Sequence, residues 1–177
     1  WYHGTTLMGF LETCEIDETR LQKEPFRLPV QWVNRPNLDF RGFAGVVTSG
    51  SIKPGDRIRA QPSGKESTVA RIVTLGGDLP EAVAGQSITL TLADEIDISR
   101  GDVISTATSP AEVADQFEAT LVWMTDEPMI PGRPYLLKIG AQTVSATITE
   151  PKYKVNVNTL EHLAAKKLDL NEIGICN

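Results

Sequence analysis

The side chains of this chain that are able to do chemistry are few, and their spacing assembles none of them into a catalytic pattern. Gly64-Lys65 is the single Gly-Lys pair. A phosphate-binding loop needs another Gly five residues upstream and a hydroxyl directly after the Lys, so that backbone N–H groups cradle phosphate and the hydroxyl ligates magnesium. Arg59 and Glu66 stand there instead, and Pro62-Ser63-Gly64-Lys65 reads as a hairpin turn. Asp39-Phe40-Arg41-Gly42 has the Asp-x-x-Gly form that senses a γ-phosphate, a match with no meaning when the phosphate loop is missing. His3 and His162 are the sole histidines and neither belongs to a Cys, His or Asp cluster, which argues against metal ligation and acid–base work. Asp94-Glu95-Ile96-Asp97 has the charge to hold a cation, yet carboxylates on a loop between strands are ordinarily just solvated. Ser63, Ser67 and Ser87 lie in no nucleophile motif. We therefore expect no catalytic, cofactor-binding or metal-binding residue in this chain.

Binding without catalysis leaves the aromatic and basic residues. Trp32, Trp123, Tyr135 and Tyr153 fall on the apolar faces of alternating segments and read as core, with base stacking the lesser reading. Arg41, Arg57, Arg59, Lys65 and Arg71 gather on early strands and could make a local basic face. The whole chain carries 17 Lys and Arg against 23 Asp and Glu, a formal charge of −6, whereas nucleic-acid binders show a strongly basic footprint. A partner protein or solvent is the better expectation for that face. No stretch has the roughly 18 apolar residues of a membrane span and no signal segment opens the chain, so we expect a cytoplasmic protein without membrane contact. Cys14 and Cys176 are too few and too far apart for a disulfide framework or a metal site and read as reduced and structural.

The elements that carry these residues are β-strands with turns between them. Small residues in Phe43-Ala44-Gly45-Val46 let a strand pass close to its neighbours, and Ile52-Lys53-Pro54-Gly55-Asp56 supplies a tight turn in which Pro presets φ and Gly accepts φ > 0. Phe26, Leu28, Val30 and Trp32 alternate with Arg27, Pro29, Gln31 and Val33, which predicts one half-buried strand. Further strands are predicted over Phe43–Ser49, Asp56–Ala60, Ser67–Val73, Ser87–Leu92 and Asp102–Ser105, with Gly76–Pro80 as a longer loop. After a boundary at Ser109-Pro110, alternation returns in Phe117/Ala119/Leu121/Trp123, Tyr135/Leu137/Ile139, Val144/Ala146/Ile148 and Tyr153/Val155/Val157, and Ile173–Asn177 reads as a last strand. Two helices are expected: one capped by Thr5 or Thr6 and running to Thr13, and one from the Asn158/Glu161 pair through Lys167. Glu15–Glu24 reads as a linker. The fold class is all-β, two consecutive small β-barrels. Residues 1–22 are expected to be the tail of a preceding domain and a linker, 23–109 the first barrel, and 110–177 a second barrel that is short of strands at its C-terminal end. A chain that opens at Trp1 rather than at Met is expected to be a piece of a longer protein.

Wording as well as pattern is shared with a known family. Pro25-Phe26-Arg27-Leu28-Pro29-Val30, the Gly-rich strand, and Ala84-Gly85-Gln86-Ser87-Ile88-Thr89-Leu90 resemble the second domain of translation-factor-type GTPases of the elongation-factor-Tu kind. Gln31-Trp32-Val33-Asn34-Arg35-Pro36, Phe117-Glu118-Ala119-Thr120-Leu121-Val122-Trp123-Met124, Pro131-Gly132-Arg133-Pro134-Tyr135-Leu136-Leu137-Lys138 and Asn156-Val157-Asn158-Thr159-Leu160-Glu161-His162-Leu163 narrow the resemblance to one branch, the large GTP-hydrolysing subunit of sulfate adenylyltransferase, fusions to adenylylsulfate kinase included. The resemblance implies a GTPase domain, with its GTP and magnesium, before Trp1. It also implies a small catalytic partner subunit that forms adenylylsulfate from ATP and sulfate, and a scaffold and contact role for the barrels. The alternative is a tRNA-binding barrel fragment of an elongation factor.

Overall fold

Lys53 N donates to Asp56 Oδ2 (2.8 Å), Asp56 N donates to the Lys53 carbonyl (3.1 Å), and Gly55 takes φ +95°, so the turn forms from the residue types that specify it. A computed structural model describes residues 3–14 and 18–177. It divides into two compact units, Trp1–Ala111 and Glu112–Asn177.

The first unit contains helices α1 (Leu7–Thr13) and α2 (Glu18–Lys23) and strands β1 (Arg27–Pro29), β2 (Trp32–Asn37), β3 (Phe40–Val46), β4 (Ser51–Ile52), β5 (Arg57–Gln61), β6 (Glu66–Thr74), β7 (Gly77–Asp78), β8 (Ala82–Val83), β9 (Ser87–Leu92) and β10 (Val103–Thr106). Antiparallel pairing orders the main sheet β1-β10-β5-β6-β9-β3-β2, with β7 on β6 and a separate β4–β8 pair. The two ends of that order are consecutive in the chain. Val30 N donates to the Asp102 carbonyl beside β10 while Gln31 N donates to Ala44 of β3 (both 2.8 Å), so neighbouring residues bond to opposite edges and the sheet rolls up on itself. The expected barrel forms as this rolled sheet, whose hydrogen-bonded ladder is not closed. Its seam is made by the isolated Arg27–Ser49 bridge, where Arg27 N donates to the Ser49 carbonyl (3.0 Å) and Thr48 N to the Arg27 carbonyl (2.9 Å). Gly45 lies on this seam, and a Cβ there would sit 2.3 Å from the Pro29 carbonyl oxygen. Phe26, Leu28, Val30, Phe43, Ile58, Ile72, Leu90 and Ile104 fill the interior.

Three local expectations for this unit are corrected. Phe26, Leu28 and Val30 are buried, but Trp32 is 64% exposed and Val33 turns inward instead, because the change of edge at Gln31 moves the pleat by one residue. Gly76–Pro80 is no long loop: Val73 pairs with Asp78 and Thr74 with Gly77 around a two-residue turn, Leu75-Gly76. In the expected linker, Glu18–Lys23 is helical, while Glu15, Ile16 and Asp17 lie outside the described residues, as do Trp1 and Tyr2. The first helix forms as read: Thr6 Oγ1 accepts from Gly9 N (3.1 Å), and the helix buries none of its residues.

The second unit contains β11 (Ala119–Val122), β12 (Pro134–Ile139), β13 (Gln142–Thr147), β14 (Tyr153–Val155), β15 (His162–Leu163) and β16 (Ile173–Cys176). It has a sheet ordered β11-β16-β14-β15 and a β12–β13 hairpin, and again no closed ladder. Met129, Leu168 and Cys176 form the buried centre, with Leu121, Trp123, Tyr135 and Ile148 packed on it. The last strand forms and lies inside the sheet with β11 on one side and β14 on the other. The expected helix from Asn158 is absent. Asn156 Oδ1 accepts from Asn158 N (2.9 Å) and Thr159 N (3.3 Å), and Leu160 takes φ +62°, so residues 156–161 make a tight turn from β14 into β15.

Candidate functional site

The first unit has two concavities on its surface. The smaller, about 240 Å³, is lined by Leu38 and Asp39 at the β2–β3 turn, Phe40, Arg41 and Phe43 of β3, Arg71 of β6, and Thr91, Leu92, Asp94 and Glu95 at the end of β9. The larger, about 460 Å³, is a groove lined by Gln31, Ala44, Gly45, Val73, Thr74, Leu75, Ser87, Ile88 and Thr89. Cross-strand register puts Trp32, Ala44, Thr89 and Val73 in one row, so the exposed indole flanks that groove. No lining residue of the groove is charged, and neither concavity holds a nucleophile with a base beside it.

The expected basic face is partly compensated, five cations sharing three carboxylates. Arg57 and Arg59 both donate to Glu66, at 2.6 Å to Oε2 and 3.0 Å to Oε1, because the β5–β6 register sets Arg59 opposite Glu66. Arg71 clamps Asp78 with two bonds of 2.7 and 3.0 Å across the short β6–β7 hairpin. Arg41 lies 5.6 Å from the Phe43 ring centroid and 3.8 Å from Asp97, which also meets Lys65 at 3.6 Å. These pairs set the local titration. The hydrogen bond from Arg59 holds Glu66 below the usual carboxylate range, with the charges of Arg59 and Arg57 adding to it, and the bond from Arg71 does the same to Asp78. A surface whose arginines already face carboxylates has less positive potential for phosphate than its five cations alone would give.

The remaining candidates separate. The Asp94 carboxylate accepts from Ser67 Oγ (2.9 Å), and Ser67 Oγ accepts from Asp94 N, so both are committed to fixing the end of β9. Among the described residues no group of three or more His, Cys, Asp or Glu is arranged to hold a metal. Gly64-Lys65 lies in the β5–β6 turn, with Gly64 N on the Ala60 carbonyl (2.8 Å) and φ +72° at Gly64. Trp123 and Tyr135 meet edge to face at 5.5 Å in the second core, Trp123 Nε1 donating to the Glu127 carbonyl (2.6 Å) and Tyr135 Oη accepting from Ile130 N (2.8 Å). Tyr153 stacks on His162 at 3.9 Å. Cys176 is buried, which pushes its thiol up, and Cys14 is exposed. No helix among the described residues is long and apolar enough to cross a membrane.

Known proteins show the same construction. Residues 44–105 match the family described as elongation factor Tu domain 2, and residues 116–177 the family described as GTP-eEF1A C-terminal domain-like. The whole chain is 54% identical to sulfate adenylyltransferase subunit 1 of Aliivibrio salmonicida and 52% identical to the bifunctional enzyme NodQ of Rhizobium sp. (strain N33), and it covers 37% and 27% of those proteins. Among solved structures, Sup35 complexed with GDP superposes with a TM-score of 0.81 at 17% identity, over 99% of this chain and 43% of that one. The chain thus spans well under half the length of the relatives it matches.

Proposed function

Because the chain is a homologue of sulfate adenylyltransferase subunit 1 along its entire length, we propose that it is the non-catalytic, partner-contacting β portion of such a subunit, acting in the cytoplasm. The carrying observation is identity near 50% over the whole chain, through both units. GTP and magnesium belong to a domain outside this chain, and adenylylsulfate is formed from ATP and sulfate on a small catalytic subunit. A fused adenylylsulfate kinase is a further arrangement open to such a protein. Coupling needs surfaces: a nucleotide-dependent change assists a partner only through contacts that differ between two states. In this reading the two β units supply surfaces of that kind. Partial compensation of the arginines, on a chain of formal charge −6, counts against tRNA binding.

The test is a paired measurement on the full-length protein and on a version lacking everything from Phe26 onward. GTP affinity should stay within about tenfold, which is about 1.4 kcal/mol, while GTP-stimulated adenylylsulfate synthesis with the small subunit is lost. Full stimulation without the β units would refute the role.

A further inference from the structure

We draw no further inference here: the strongest candidate, the apolar face that Leu137, Ile139 and Val144 form on the β12–β13 hairpin of the second unit, with Ile139 and Val144 exposed, carries nothing because no feature of the structure shows what covers it.

Discussion

Three glycines of the first unit separate backbone strain from steric conflict. Gly55 takes φ +95° with nothing within 4 Å of an added Cβ, so Gly55→Ala carries strain alone, about 1–2 kcal/mol for a left-handed L-residue. Gly45 has no positive φ, but its added Cβ would meet the Pro29 carbonyl oxygen at 2.3 Å, so Gly45→Ala carries the overpacking cost alone, about 1–3 kcal/mol. Gly50 has both: φ +73°, and Phe26 N, Phe26 Cα and the Glu24 carbonyl oxygen at 2.4, 2.5 and 2.6 Å from the added atom. The obstacles are backbone, and Gly50 N also donates to the Leu21 carbonyl (2.7 Å), so little can yield there. Gly50→Ala should therefore cost about 2–5 kcal/mol, the two terms together, and lower the urea midpoint of the first unit by roughly 1–2.5 M at a slope of about 2 kcal/mol/M. Hydrogen exchange through a urea titration, followed on peptides from β5 and β6, reads the first unit separately from the second. If Gly50→Ala destabilises no more than Gly55→Ala, the segment at Phe26 moves freely and the seam described here does not hold the roll.

Two further outcomes follow from the charges and from the second core. Glu66 and Asp78 have folded pKa values depressed by hydrogen bonds from Arg59 and Arg71, so each contributes stability above its unfolded pKa that is lost as pH falls through the folded one; the first unit should weaken as pH drops below about 4, and Glu66→Gln with Asp78→Asn should flatten that part of an acid titration followed by circular dichroism. Leu168 is fully buried against Gly174, so Leu168→Ala should cost about 2–5 kcal/mol in the second unit while exchange in β5 and β6 is unchanged.

What was legible in the sequence was whatever is decided within a few residues. The Lys53–Asp56 turn, the Gly64 hairpin and the Thr6 cap each need only their own side chains and φ values, and each formed where its residues stand. Trp32 was misplaced because alternation carries no mark of the point where a strand leaves one edge of a sheet for another. Asn156, not Asn158, turned out to be the residue that directs its segment, since an Asx turn and a capping pair draw on the same residue types and Leu160 in the left-handed region ends any helix. Compensation of the arginines was hidden for a similar reason. Arg71 and Asp78 meet only if Leu75-Gly76 is recognised as a two-residue turn, and Arg59 meets Glu66 only once the β5–β6 register is known.

Register also decides which charges remain for a partner. Cross-strand pairing sets Glu66 and Asp78 against Arg57, Arg59 and Arg71, two carboxylates for three guanidinium groups, which lowers but does not cancel the positive charge of the strand surface. Among the carboxylates without an ion pair are Asp39, Asp94 and Glu95, which lie outside the strands. A net-acidic chain folded in this way offers an association partner negative charge at the loop end of the sheet and a neutral groove along its face. Encounter with a basic partner surface would then be steered by those turns and damped by salt, whereas affinity for the groove, lacking charge, would be nearly insensitive to salt. The two concavities of the first unit thus differ in a way that ionic strength alone separates.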